Sequence, residues 1–198
     1  MKAQTDYPVH DLIANRWSPY SFAARSVNDN DLRSIFEAAH WAPSSFNEQP
    51  WRYIVAKKEN QAAFNNLLSC LTERNRLWAS HAPVLVLAIT SLKLARNNKS
   101  NRAATHDLGL ASANLSLEAT ARGLSVHQMI GIEPDKARQC YEVPADFEIF
   151  TAIAIGYAAK PADRLTEFAD RDQTRRPRKP LNEILFENRW EEPSPLVL

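Results

Sequence analysis

Between two tryptophans, Trp41 and Trp51, lie Ser44, Ser45, Asn47 and Gln49, with Pro43 and Pro50 fixing the backbone on either side. Carboxamides both donate and accept, so Asn47 and Gln49 can match the carbonyl and N–H edge of a flat heteroaromatic ring. A second set of residues suits an anion. Arg16 can grip a phosphate with two parallel hydrogen bonds and Ser18 can add a hydroxyl. Far downstream, Arg175-Arg-Pro-Arg-Lys179 places four basic residues in five. Each feature taken alone has a plainer reading: a polar loop is usually a solvated connection, an arginine after a helix a surface residue, and a basic run a solvated face. Other chemistry is poorly served. His81 has no second metal donor nearby, and His106, Asp107 and His127 suit core or helix-surface positions better than a catalytic set. The four glycines, Gly109, Gly123, Gly131 and Gly156, are too scattered for G-x-G-x-x-G or a phosphate-cradling loop.

The elements that must hold these residues follow from periodicity. Val9, Leu12 and Ile13 predict a short helix over Tyr7–Asn15, and Ser26 or Asn28 can cap a second helix running to about Trp41. Trp51–Ala56 reads as a strand, Gln61–Arg74 as one helix, and Trp78 with His81 as a linker. Val84–Thr90 is apolar on both faces, as in a central strand covered by helices on each side. Lys93–Arg102 turns polar and could border a ligand mouth. Ala103–Arg122 is the longest helix, apolar over most of its circumference and therefore expected to be buried on several sides. Leu124–Ile130 alternates as a strand, Pro134 opens a helix through Tyr141, and Ile149–Ile155 is a last buried strand. Four strands and about five helices give an α+β class, a mixed sheet with helices on both sides. From Ala158 onward prolines punctuate a charged segment. Its Leu181, Ile184, Leu185, Phe186 and Trp190 imply docking, on this domain or on a partner.

The wording of these stretches resembles the FMN-dependent nitroreductase family. Trp41-Ala-Pro-Ser-Ser-Phe-Asn-Glu-Gln-Pro-Trp51 is similar to its A-P-S-x-x-N-x-Q-P-W segment, and Arg16-Trp-Ser-Pro-Tyr-Ser-Phe22 to its R-R-S-x-R-x-F opening. Asp107-Leu-Gly109, Gly123-Leu124, Gly131 and Ala154-Ile-Gly-Tyr157 fall in the family's order, and Arg176-Pro-Arg-Lys-Pro-Leu181 resembles its late basic segment. The likeness runs from about Leu12 to Trp190.

The resemblance implies an α+β, nitroreductase-like fold: a central mixed, mostly antiparallel sheet flanked by helices. It implies a single domain over residues 1–198, with 158–198 as a C-terminal extension embracing a second protomer. The implied cofactor is FMN. Arg16 and Ser18 would hold its phosphate together with Arg176 and Arg178, either across protomers or through termini brought together. Trp17 and Tyr20 stand where the family commonly has basic residues, and Arg25 and Arg52 are candidates to restore that charge. Pro43, Ser44, Asn47 and Gln49 would lie along the isoalloxazine. Met129-Ile130-Gly131 resembles the loop beside flavin N5, where a backbone N–H makes the contact and Gly131 keeps the approach open. The implied activity is that of an NAD(P)H-dependent oxidoreductase, a homodimer with FMN sites at the subunit interface. It would pass hydride from NADH or NADPH through flavin N5 to nitroaromatic, quinone-like or related electrophiles, with no catalytic side chain and no metal. The same fold hosts other flavin chemistry, so the cofactor is better constrained than the substrate. Two alternatives stay open: a flavin-sequestering relative without turnover, and a binding module that uses the basic C-terminal segment.

Bulk properties bound these readings. A chain of 198 residues, 44% hydrophobic and 24% charged, can bury a core of its own. Its net charge of +1 offers no overall field for nucleic acid or an acidic membrane. Cys70 and Cys140 both fall in predicted helices, where buried free thiols are the expectation. Met-Lys-Ala-Gln-Thr-Asp-Tyr-Pro lacks a signal peptide's apolar centre, and Pro83–Ile89 is too short to span a membrane; a cytoplasmic protein is expected.

Overall fold

A computed structural model describes residues 2–197. Four strands, β1 (Trp51–Lys57), β2 (Val84–Ser91), β3 (Ser125–Met129) and β4 (Phe147–Gly156), form one sheet in the order β1-β2-β4-β3. All three ladders are antiparallel. Among the described residues seven α-helices accompany it: α1 (Asp11–Asn15), α2 (Asp29–His40), α3 (Gln61–Ser69), α4 (Glu73–Ala79), α5 (Ala104–Ala121), α6 (Pro134–Tyr141) and α7 (Ala169–Gln173).

The two-sided apolar pattern of β2 decides the layering. Leu85, Leu87 and Ile89 face one core with Phe64, Leu67 and Leu71 and with Trp78 of α4. Val84, Val86 and Ala88 face a second core with Leu32, Ile35 and Ala39 of α2 and Leu108, Ala111, Leu115 and Ala119 of α5. Side chains alternate across a strand, so a strand apolar at every position requires cover on both faces. Asn28 caps α2, its Oδ1 accepting the Asp31 N–H at 2.8 Å.

Several expectations are corrected. The first helix begins only at Asp11, where the His10 ring nitrogen accepts from the Leu12 N–H at 3.2 Å. The helix expected over Gln61–Arg74 is broken between Ser69 and Glu73, because Leu71 pairs with Ile132 and the Cys70 carbonyl accepts the Glu133 N–H at 2.8 Å. Trp78 belongs to α4 and is fully buried, not a linker residue. α5 is buried along one side only: Gly109, Ala113 and Ala121 are exposed, and Leu110 and Leu117 are half-buried. The apolar residues of the C-terminal segment divide as well. Phe168 is buried against the domain, whereas Ile184 and Trp190 are exposed, and Phe186 packs on Trp190 with ring centres 5.1 Å apart.

Both cysteines are free, Cys70 buried and Cys140 exposed, against the expectation that both are buried. Burial, and next the neighbouring Cys140, push the Cys70 thiol up to about 11. Iodoacetamide at neutral pH should therefore label Cys140 and leave Cys70 untouched until unfolding, since the thiolate is the nucleophile. Peptide mapping before and after denaturant checks this.

Candidate functional site

The segment after α1 lies against β3 and the end of β4. The Pro19 carbonyl meets His127 Nδ1 at 2.9 Å, Phe22 pairs with Ala158, and the Ala159 N–H donates to the Ser21 carbonyl at 3.0 Å. α7 clamps this segment from outside. The buried Asp172 carboxylate accepts the backbone N–H groups of Tyr20 at 2.8 Å and Ser21 at 2.9 Å. Tyr20 points into an aromatic cluster, stacked on Phe168 with centres 5.0 Å apart and edge-on to Trp78 and His127. Its hydroxyl accepts from Arg171 at 3.2 Å.

Fixing residues 16–22 against 165–175 gathers cations from the two ends of the chain. Arg16 Nη1 donates to Ser18 Oγ at 2.9 Å. Arg175 donates to the carbonyls of Ala14 and of Arg16, 159 positions away, both at 3.0 Å. Its guanidinium lies 4.9 Å from the Trp17 ring centre. Burial, and next the positive charge of Arg178, hold the Arg16 guanidinium below its ordinary pKa; Arg175 is lowered by burial, then by Arg16 and Arg178. No ion pair joins Arg16 or Arg178 to a carboxylate among the described residues; the nearby basic residues that do have such pairs are elsewhere, as in Lys179–Glu183. Two like charges, Arg16 and Arg178, brought close with no carboxylate paired to either among the described residues form a place for an anion. Trp17 thus sits beside a cation imported from the C-terminal segment. The sequence candidates for that service are occupied elsewhere: Arg25 lies over the Tyr157 ring at 3.8 Å, and Arg52 donates to the Gln49 and Trp51 carbonyls. Arg175 was visible in the basic run, but its place over Trp17 depends on a tertiary contact.

His127 stands behind this cluster, with its ring centre 4.3 Å from that of Trp78. Burial is the main reason its pKa is lowered from 6.5; the Pro19 carbonyl and Asp172 oppose that shift, while Arg176 and Arg16 add to it. A folded pKa below the unfolded one means that the unfolded chain takes the proton first as pH falls. The stability associated with neutral His127 is full above about 6.5 and declines as pH drops through the lowered folded value. Thermal midpoints measured from pH 7.5 to 5 should fall on the acid side for the native protein, and His127→Phe should flatten that limb.

Beyond His127, β3 ends at Met129, which is buried, followed by Ile130, which is 76% exposed, and Gly131. The Gly131 carbonyl accepts from the Thr72 N–H at 3.1 Å, Thr72 Oγ1 at 3.2 Å and Asn75 Nδ2 at 2.9 Å. Asn75 Oδ1 in turn accepts from Trp78 Nε1 at 3.2 Å. A Cβ on Gly131 would meet Asn75 Nδ2 and Thr72 Oγ1, so any other residue here would displace the side chains that hold the Gly131 carbonyl. Thr72 and Asn75 were missed in the sequence: Thr72 lay inside the one expected helix over Gln61–Arg74 and Asn75 just beyond its end, both reading as ordinary polar residues.

Pro43, Ser44, Asn47 and Gln49 lie on the opposite edge, in the loop before β1. Ser44 Oγ accepts the Gln49 N–H at 3.0 Å, Gln49 Nε2 donates to the Asn47 carbonyl at 2.9 Å, and the Ser45 N–H donates to the buried Asp107 carboxylate at 3.0 Å. Trp51 is level with Thr90 and, through it, with Glu148, while Met129 is level with Ala152. Three strand spacings, about 14 Å, separate the two edges. One chain therefore joins Arg16, Trp17, Ser18, Arg175 and Arg178 and sets Met129–Gly131 on the same edge, with Arg176 felt at His127. It leaves the loop of Pro43–Gln49 apart. An open groove of about 530 Å³ lies elsewhere, lined by Arg33, Ser34, Glu37, Ala38, Trp41, Glu118 and Arg122, none of them a predicted site residue. Among the described residues no His, Cys, Asp and Glu cluster could hold a metal, and no helix is long and apolar enough to cross a membrane.

Known proteins resemble this chain in sequence and fold. A crystal structure of an oxidoreductase containing FMN superposes with a TM-score of 0.87 at 32% identity, over 94% of this chain and 94% of that one. A putative nitroreductase in complex with FMN from Desulfovibrio desulfuricans gives a TM-score of 0.71 at 27% identity, covering 94% of this chain and 99% of that one. Protein DrgA of Synechocystis is 30% identical over 155 residues, 66% of this chain and 74% of DrgA. A putative NADH dehydrogenase/NAD(P)H nitroreductase of Archaeoglobus fulgidus is 25% identical over 157 residues, 77% of this chain and 86% of its own length. The model of the nitroreductase family matches residues 13–157, most of the chain and both of its early polar segments. The chain belongs to the nitroreductase family.

Proposed function

We propose that this protein is an FMN-dependent oxidoreductase that acts as a homodimer, each site built from the cation cluster of one copy and the Pro43–Gln49 loop of the other. The observation that carries the reading is the convergence of Arg16, Ser18, Arg175 and Arg178 without a carboxylate on Arg16 or Arg178. A flavin phosphate carries close to two negative charges and needs several fixed donors of this kind. The residues present therefore fit FMN, and FMN accompanies two of the similar structures. When bound, the flavin supplies hydride transfer between a nicotinamide donor and a nitroaromatic, quinone-like or related electrophile.

In this reading the chain's own residues bind and orient. Arg16, Ser18, Arg175, Arg176 and Arg178 hold the phosphate, and Trp17 and Tyr20 buttress the segment that carries them. Thr72 and Asn75 fix the Gly131 carbonyl and so aim the backbone of Ile130 and Gly131 at the ring. Asn47 and Gln49, with Pro43 and Ser44 behind them, offer amides from the second copy. The whole chain acts as one domain, and the exposed Ile184 and Trp190 of the 158–198 extension cover the partner. The half-open face of α5, with Gly109 and Ala113 exposed, is suited to close approach by another helix.

Mixed dimers test the shared site. Arg16→Ala/Arg178→Ala subunits and Asn47→Ala/Gln49→Ala subunits, each inactive alone, should regain activity when unfolded and refolded together. Random pairing makes half the dimers mixed, each with one intact site, so about a quarter of native activity is expected. No recovery would mean that cluster and loop serve one site within a single chain.

A further inference from the structure

The loop between Trp41 and Trp51 is held in an unusual conformation. Phe46, Asn47 and Gln49 have φ of 54°, 56° and 47°, in the left-handed region that residues with a Cβ rarely occupy. Each costs on the order of 1 kcal/mol, and such strain persists only where surrounding structure enforces it. The enforcement is visible. Besides Asp107 and Ser44, Glu48 turns its carboxylate inward, accepting the Ala95 N–H at 2.6 Å and meeting Arg96 Nε at 3.7 Å. Ala95 and Arg96 belong to a hairpin after β2, closed by pairing of Lys93 with Ser100. Arg96 then lies over the Phe46 ring, Cζ to centroid 3.7 Å.

The strain thus presents a large aromatic ring to solvent: Phe46 is 71% exposed, where burial is the usual fate of phenylalanine. Its surroundings are positive. The segment from Leu92 to Ala103 contains Lys93, Arg96, Lys99 and Arg102 and no acidic residue. Among the described residues only Arg96 of these four has a carboxylate partner, the inward-turned Glu48.

We infer that Phe46 and Arg96 select the oxidant, favouring planar aromatic acceptors that carry a carboxylate or sulfonate. The inference rests on the proposed function, which brings this loop to the flavin. The acceptor ring stacks on Phe46. The guanidinium N–H groups left over from Glu48 donate to the acceptor's anionic substituent. Lys93, Lys99 and Arg102 raise the local concentration of such anions.

The test uses FMN-loaded enzyme with two oxidants of similar shape, 4-nitrobenzoate and nitrobenzene. The ratio of their kcat/KM values should fall about tenfold in Arg96→Gln, the loss of one charge-assisted contact, and recover most of the way in Arg96→Lys. Phe46→Ala should lower kcat/KM for both oxidants by about threefold to tenfold. Benzoate, which cannot be reduced, supplies a readout apart from turnover. Its perturbation of the flavin absorption spectrum should require about tenfold more benzoate in Arg96→Gln. An unchanged oxidant ratio, or a variant whose defect lies in the KM for NADH or NADPH, overturns the inference while leaving the flavoprotein reading intact. A preparation that takes up no FMN overturns both.

Discussion

Arg16→Ala combined with Arg178→Ala should strip the protein of FMN. Each guanidinium contributes hydrogen bonds to a charged acceptor worth about 1.5 to 3 kcal/mol, so losing two weakens binding on the order of 100-fold to 10,000-fold. The same pair of changes should leave the fold intact or slightly firmer, because Arg16 and Arg178 repel each other across the half-buried cluster. That opposition of signs separates a ligand site from a structural one. A structural arginine would lower the thermal midpoint when removed, whereas removing these should leave it unchanged or slightly raised in the apoprotein and abolish its response to added FMN. Arg33→Ala and Lys57→Ala, on the α2 and β1 surface away from the cluster, serve as controls and should retain FMN as the native protein does. Fluorescence quenching titrations of FMN with each apoprotein, alongside melting curves, measure both effects; equal retention in all variants would count against the phosphate assignment.

Asp172→Ala should have the largest effect on stability. The carboxylate is 3% exposed and accepts two backbone N–H groups, from Tyr20 and Ser21, that have no substitute once it is removed. Leaving the buried Ser21 donor and the half-buried Tyr20 donor unpaired costs up to about 6 kcal/mol, a large share of the marginal stability of a domain this size. Asp172→Asn retains one acceptor oxygen and should lose about half as much. Because Asp172 fastens the segment carrying Arg16 and Ser18 to the segment carrying Arg175 and Arg178, FMN affinity should fall with it, although the residue itself is no anion ligand. Urea denaturation of the three proteins gives the order. An Asp172→Ala variant as stable as the native protein would show that the aromatic cluster of Tyr20, Phe168, Trp78 and His127 and the Arg171 and Arg175 hydrogen bonds hold the two segments together without it.

The elements that could be read from sequence are those whose reasons are local. Asn28 announces a helix start, the unbroken apolar run of β2 demands cover on both faces, and Pro43 and Pro50 bracket a polar loop. The resemblance added the order in which such pieces occur. What escaped depends on partners distant in the chain. The break at Cys70–Thr72 exists because Leu71 pairs with Ile132, and no helical periodicity records that. Trp78 read as a linker residue because the rings that bury it, Tyr20, Phe22 and His127, come from elsewhere. Asp172 looked like one acidic residue in a charged tail until its two backbone donors were seen. α5 is apolar over most of its surface, yet one flank stays open in the single chain, a mismatch between pattern and burial that a second copy would resolve. The positive φ values at Phe46, Asn47 and Gln49 were hidden because none of the three is glycine.

In the proposed reading, separated ends of the polypeptide meet to hold a flavin that nicotinamide can reduce. That reading is tested most directly by the visible spectrum of the purified protein, reconstituted with FMN and titrated with NADH and NADPH without oxygen. The reconstituted protein should be yellow, its flavin band bleaching at one equivalent of reductant per site and returning with an electrophilic acceptor. A colourless protein that leaves the fluorescence of added FMN unquenched would contradict it.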